Sequence, residues 1–219
     1  DAGLNAKQAV EQFIHETAYT ALNRLVAVKM LEARALLTRT AVGEGRNSAG
    51  FKDFQMVAPQ VCQSQADGGY QSFLELLFDE LAASIRPLFD RRGAHSIIFP
   101  RWTALDQVIK LLNAGELTGI WQEDETIGWV YQYFNTPDRE KVRKGGRPAR
   151  PQDVAVINQF YTPRYVVEFL VDNTLGRLWY EMRQGETQLV EKCRYLVRRK
   201  HPIFLREGEQ APEPFEPRK

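Results

Sequence analysis

The chain has 219 residues, 43% of them hydrophobic, with a formal net charge of +1. That is enough length for one large or two small domains with a proper core, and the near-neutral balance excludes a molecule whose overall field draws in nucleic acid, so any DNA contact is expected from a local patch or from a domain outside these residues. No apolar run approaches the roughly 20 residues of a membrane span, and the start has neither the basic end nor the apolar centre of a signal peptide, so a soluble cytoplasmic protein is expected. Cys62 and Cys193 lie far apart, and His15, His95 and His201 are scattered. This spacing offers neither a disulfide framework nor a metal site.

From about Asn5 to Leu37 there is no Gly or Pro, and Val10, Phe13, Ile14, Ala18, Ala21, Leu25 and Val28 recur every three or four residues. The pattern predicts a long amphipathic helix, or two in line, with Asn23 and Arg24 on or beside its buried face. Those two are read as a hydrogen-bonding clamp for a neighbouring element, because buried polar groups need partners. Gly43, Gly45, Asn47, Ser48 and Gly50 then mark a polar loop that buries little. No strand precedes it and no Lys-Ser or Lys-Thr pair follows, so it is not a phosphate loop.

Gly68-Gly69 opens a second helix with Tyr70, Phe73, Leu74, Leu77, Leu81 and Ile85 on its core side, ended or bent by Pro87. Ser96 to Phe99 is a small strand or an extended link. The next helix is expected to be capped by Thr103, to bury Leu105, Val108, Ile109 and Leu112, and to stop at Gly115. Ile120 to Phe134 is dense in aromatics, and Ile127, Val130, Tyr131 and Phe134 favour helix over strand. A packed aromatic cluster is the preferred reading over base stacking.

Residues 138 to 153 read as an exposed basic loop after a hinge at Thr136-Pro137, with Arg139, Lys141, Arg143, Lys144, Arg147 and Arg150 as candidate phosphate contacts. Another helix starts near 162, with Thr162 as N-cap, Pro163 in the first helical position, and Val166, Val167, Leu170 and Val171 at helical spacing. It continues to Trp179, where Gly176 allows close packing. A last helical stretch carries Leu189, Val190, Cys193, Leu196 and Val197 before the basic Arg198-Arg199-Lys200 and a Pro-rich tail.

Gln159-Phe160-Tyr161-Thr162-Pro163 followed by an amphipathic helix resembles motif X of the adenine-N6 DNA methyltransferases. Ala18-Tyr19-Thr20-Ala21-Leu22-Asn23-Arg24-Leu25-Val26-Ala27 is similar to the early helix of the large methyltransferases of BREX and DISARM phage defence and of type IIG restriction-modification enzymes. The segment Ile127 to Phe134 resembles the one that precedes motif X in PglX-like proteins. The chain therefore looks like the N-terminal part of a PglX-like methyltransferase.

The resemblance implies S-adenosylmethionine as cofactor and double-stranded DNA as substrate, with other defence-system proteins or phage inhibitors as further partners. Tyr161, Thr162 and Pro163 would lie against the methyl donor, Thr162 giving its hydroxyl or the helix-start N–H to the methionine carboxylate, while Gln159 and Phe160 shape the entrance. Neither the family's Asp-Pro-Ala-Cys-Gly-Ser-Gly-type donor loop nor its Asn-Pro-Pro-Tyr or Asn-Pro-Pro-Phe motif occurs. No catalytic residue is expected here, and the chain is read as an inactive fragment supplying the motif X wall of the pocket. No Asp-x-Lys or Glu-x-Lys occurs, which tilts the resemblance from the type IIG nucleases toward the BREX or DISARM type.

The expected architecture is mainly α: a helical N-terminal domain over 1–137, a basic linker over 138–153, and over 154–219 the opening helices of a methyltransferase domain whose α/β core lies beyond Lys219. The rival is a stand-alone helical module. As a protein-interaction scaffold it would expose an apolar patch around Trp121 to Phe134 and bury Thr162; as a DNA-binding module it would use the basic loop and Arg198 to Lys200.

Overall fold

In this computed structural model, which describes residues 5–146, 151–158, 160–197 and 208, Asn5 starts the first element. Its side chain accepts the Gln8 N–H at 2.9 Å while the Gln8 side chain accepts the Asn5 N–H at 3.1 Å. This reciprocal cap satisfies two donors that the helix cannot. Helix α1 runs Ala6–Ala33, 28 residues or about 42 Å. It stops four residues short of the expected Leu37. Ala35 turns left-handed (φ 54°), its N–H bonding to the Glu32 carbonyl and that of Leu36 to the Leu31 carbonyl. This is the helix-ending motif that glycine usually serves, built here on alanine, so no residue type marked the stop.

Val10 and Ile14, expected on the buried stripe, are more than half exposed. The core instead takes Arg24, Leu25, Val26, Ala27 and Val28 in succession. Consecutive burial means that the C-terminal half of α1 is surrounded, whereas its N-terminal half has only part of one side covered.

The segment at Ala41–Gly50 is not the weakly buried loop expected from its composition. Ala41, Val42, Gly43, Gly45 and Ser48 are all buried, because the Glu32 carboxylate on α1 accepts the N–H groups of Ala41, Val42 and Gly43 at 2.5, 2.6 and 2.7 Å. Backbone donors supplied with an acceptor can leave water. Two helices follow, α2 (Ala49–Val57) and α3 (Pro59–Ser64).

Gly68 and Gly69 (φ 70° and 84°) turn the chain into α4 (Tyr70–Ala82), which buries Tyr70, Phe73, Leu74 and Phe78. The helix ends before Ile85, which is exposed, and Pro87 lies in the first turn of the short α5 (Arg86–Phe89). Tyr70 donates its hydroxyl to the Ala41 carbonyl at 2.7 Å. Burial, with the Glu32 charge adding, pushes its phenol well above the ordinary tyrosine range. The neutral phenol is the native form. Its stabilising contribution is therefore complete below pH about 10 and falls as the pH rises past that value, where the unfolded chain releases a proton that the folded chain retains, at about 1.4 kcal/mol per pH unit. Tyr70→Phe is expected to remove this alkaline loss while lowering stability at pH 8 by about 1 kcal/mol, as read from urea unfolding at pH 8 and 11.

Residues 94–96 form a single 3-10 turn, and Ile97 and Ile98 beyond it are exposed, so the alternative of a small strand is not realised. Helix α6 (Trp102–Leu112) buries Leu105, Ile109 and Leu112 as its spacing predicts, but Arg101 is the N-cap and Thr103 lies inside the first turn. Asn113 closes it before Gly115, donating to the Ile109 and Val42 carbonyls.

The aromatic segment is helical: α7 spans Thr126–Phe134. Tyr131 packs edge-on and Phe134 at a tilt against Tyr19 of α1, and Phe134 also against His15. The basic stretch is not a loop at its start. It forms α8 (Thr136–Lys144), with Pro137 in the first turn, and chain that was expected to be linker re-enters helix in α9 (Pro151–Asn158). Asp138 near the start of α8 and Lys141, Arg143 and Lys144 near its end complement the helix dipole, which favours helix where no apolar periodicity does.

The chain divides into two compact units, Asp1–Gln159 and Phe160–Lys219. In the second, α10 (Arg164–Val171) passes through a π-turn (Asp172–Gly176) into α11 (Arg177–Met182), and Leu189–Lys192 forms the short α12. Gly176 is buried, and a Cβ there would meet the Cys193 sulfur at 3.2 Å, so it does allow close packing. Leu196 and Val197, expected on a helix, follow a turn instead. No strand occurs among the described residues, and the fold is mainly α.

Candidate functional site

The start of α10 brings together Phe160, Tyr161, Thr162 and Pro163. Pro163, not Thr162, is the N-cap (φ −56°, ψ 142°), and its carbonyl accepts the N–H groups of Val166 and Val167. No side chain caps the helix. A ring nitrogen carries no hydrogen, so Pro suits a position just outside the turn as well as just inside it, and the start moves one residue. Thr162 is exposed, with its hydroxyl uninvolved in capping, and Phe160 and Tyr161 are 64% and 40% exposed. The opening turn of a helix presents N–H groups that lack partners within it and a partial positive charge, which together suit a carboxylate or phosphate. Gln159, expected at the entrance, lies outside the described residues.

The other candidate group sits on α8 of the first unit. Lys141 pairs with Asp138 at 3.3 Å and Lys144 approaches Glu140 at 3.9 Å, both at the surface. Arg139 points its Nε toward the Val156 carbonyl at 3.5 Å. Arg143 is exposed. Surface pairs of this kind hold Lys141 and Lys144 weakly. Arg147 and Arg150, and likewise Arg198 to Lys200, lie outside the described residues.

Arg24 is half of the clamp expected; Asn23, expected to share that role, has its Oδ1 buried without a hydrogen-bond partner among the described residues. Arg24 is 5% exposed, and it donates to the Leu88 carbonyl at 2.8 Å, to the Asp90 carbonyl at 2.8 Å and to Ser96 Oγ at 2.7 Å. It therefore binds α1 to the turn after α5 and has no face for DNA. The scaffold alternative expected exposed aromatics and a buried Thr162. Trp121 is 3% exposed and Thr162 is at the surface, the reverse of that pattern, although Tyr133 does protrude.

Sequence reasoning did not single out Asp172, Asn173 and Arg177. Asp172 is buried and accepts the Tyr195 N–H at 2.8 Å; Asn173 and Arg177 bond to the backbone of Tyr195 and Val197. The available signal was Asn173, Thr174 and Gly176, three poor helix formers inside an otherwise apolar helix pattern. Burial, and then the hydrogen bond to Asp172, raise the Cys193 thiol pKa, which disfavours the thiolate. Among the described residues no cluster of His, Cys, Asp and Glu could hold a metal, and no helix is long and apolar enough to cross a membrane.

No protein-family profile matches the chain. It is 24% identical over 228 aligned positions to the adenine-specific methyltransferase BrxX of Escherichia coli O9:H4 (strain HS), covering 94% of this chain and 18% of that protein. It is 26% identical over 202 positions to the adenine-specific methyltransferase PglX of Lacticaseibacillus casei (strain Zhang), covering 78% of this chain and 16% of that protein. Both relatives are methyltransferases by name, and the similarity runs through most of the chain. It relates this protein to the PglX-like adenine methyltransferases of BREX. The chain spans less than a fifth of the length of either relative.

Proposed function

We propose that this chain is part of a site-specific DNA adenine-N6 methyltransferase of bacterial phage defence or restriction-modification, and that it supplies the motif X wall of the S-adenosylmethionine pocket without being active alone. The observation that carries the reading is the start of α10, where Tyr161 and Thr162 stand at the surface and the threonine hydroxyl is not spent on capping. The cofactor brings the methyl group. The residues of this chain bind it: the helix start and the Thr162 hydroxyl receive its carboxylate, Tyr161 covers it, Pro163 fixes the turn, and Phe160 with Gln159 borders the entrance. Along the same helices Tyr165, Phe169, Leu170, Leu178 and Met182 are exposed, which fits a surface that a methyltransferase core would cover.

Arg139, Lys141, Arg143 and Lys144, with Arg147 and Arg150, are proposed to contact DNA phosphates without reading sequence. Titration of the full-length protein with S-adenosylmethionine tests the donor site. Tyr161→Ala and Thr162→Ala are each expected to weaken binding about tenfold, or ~1.4 kcal/mol. Unchanged affinity in both variants would remove the assignment.

A further inference from the structure

The π-turn between α10 and α11 directs three polar side chains onto one short segment. Asp172 Oδ2 accepts the Tyr195 N–H at 2.8 Å, and Asn173 Nδ2 donates to the Tyr195 carbonyl at 2.8 Å. Asn173 Oδ1 accepts the Val197 N–H at 2.9 Å, and Arg177 Nη1 donates to the Val197 carbonyl at 2.7 Å. Every backbone polar group of Tyr195 and Val197 is thus held by a side chain of a single helical stretch. Leu196, between them, is buried, and Cys193 packs on Gly176. Such saturation fixes the segment in translation and in rotation about the helix, since each of the four bonds has its own direction. The three side chains come from the π-turn and the residue that follows it, and π-turns are frequent at functional sites.

We infer that Asp172, Asn173 and Arg177 are positioning residues for donor binding: they lock α10, whose start carries Tyr161 and Thr162, to the Cys193–Val197 segment, so that the donor-binding start is held in one orientation. The inference rests on the function proposed above. Glu181 accepts Arg177 Nε at 2.6 Å and steadies the guanidinium for its bond to Val197, and Asn173 Nδ2 also donates to the Phe169 carbonyl, which ties the amide back to α10. Loss of one bond would let the helix start rotate, and an error of about 1 Å at a binding group is enough to lower affinity strongly.

Steady-state kinetics of the full-length methyltransferase test it. Asn173→Asp keeps the acceptor for the Val197 N–H but turns an oxygen toward the Tyr195 carbonyl; Arg177→Gln shortens the side chain away from Val197. Each is expected to raise the KM for S-adenosylmethionine about tenfold, with kcat at saturating donor and the KM for DNA within about twofold of the parent. Arg177→Lys, which can still donate to Val197, is expected to recover most of the loss. A lower kcat with an unchanged donor KM would mean that the clamp only maintains the folded fraction, and would overturn the inference. If Asn173→Asp does not fold, the Arg177 pair decides the matter. Tyr161→Ala separates the two levels: when it weakens donor binding and the clamp variants do not, positioning fails and the donor site stands; when none of them has an effect, the donor site itself fails.

Discussion

Glu32→Ala is expected to lower the melting temperature of the first unit by about 8–16 °C, the largest change anticipated for any single substitution in it. The carboxylate accepts three successive N–H groups, from Ala41, Val42 and Gly43, at 2.5–2.7 Å. These residues are buried, so removing the acceptor strands donors where water has poor access, at about 1–3 kcal/mol each before relaxation, or about 4 kcal/mol together. The damage would spread because Tyr70 and Asn113 also bond to this segment, at the Ala41 and Val42 carbonyls. Glu32→Gln is expected to lose about half as much, since its amide oxygen can serve one or two of the donors while its NH2 opposes the third. Thermal unfolding followed by circular dichroism would check both; equal melting temperatures for Glu32→Ala and the parent would mean that the segment does not depend on this contact.

Arg24→Met is the second large effect, about 3 kcal/mol or about 6–12 °C. Methionine keeps an aliphatic stem, but it leaves the Leu88 carbonyl without its Arg24 donor and reduces the Asp90 carbonyl to the weaker Ser96 hydroxyl at 3.2 Å. Burial and the neighbouring Arg91 charge lower the pKa of the Arg24 guanidinium, yet it remains protonated at neutral pH, so the bonds are charge-assisted. Arg24→Lys is expected to lose about 2 kcal/mol, because a compact ammonium cannot reach two carbonyls and a hydroxyl as a planar fork does. Chemical unfolding of the three proteins would rank them; lysine equal to arginine would mean that the charge alone suffices.

Those two residues also mark how far the amino-acid order was legible. Arg24 was recognisable as a clamp because a charged residue inside an apolar helix pattern must find partners. The role of Glu32 was hidden. Its partners are backbone groups nine to eleven residues away, and the Gly, Asn and Ser content of the segment they belong to carries the signature of an exposed loop. The helices with strong apolar spacing, α1, α4, α6 and α7, were readable in place, and so were the starts of α1 at Asn5 and of α4 after Gly69; the end of α1 and the start of α6 were not, since they depend on the local turn at Ala35 and the cap at Arg101. Helix α8 was missed because it has no apolar periodicity and is held by charge order along its axis. At the candidate site the grouping of Phe160 to Pro163 was visible, while the identity of the capping residue was not.

The π-turn has a consequence for the length of the chain. A one-residue deletion between Asp172 and Gly176 would give an unbroken α-helix of ordinary pitch and acceptable composition. Because the wide turn takes up one residue more than an α-helical turn, the deletion would leave α10 and α11 nearly in line but would shorten the step from Asp172 to Arg177 from five residues to four. Asp172 and Arg177 would then stand one above the other on the helix instead of fanning out over Tyr195 and Val197. Homologous chains that retain the clamp are therefore expected to keep the count of residues across this stretch as well as the residues themselves.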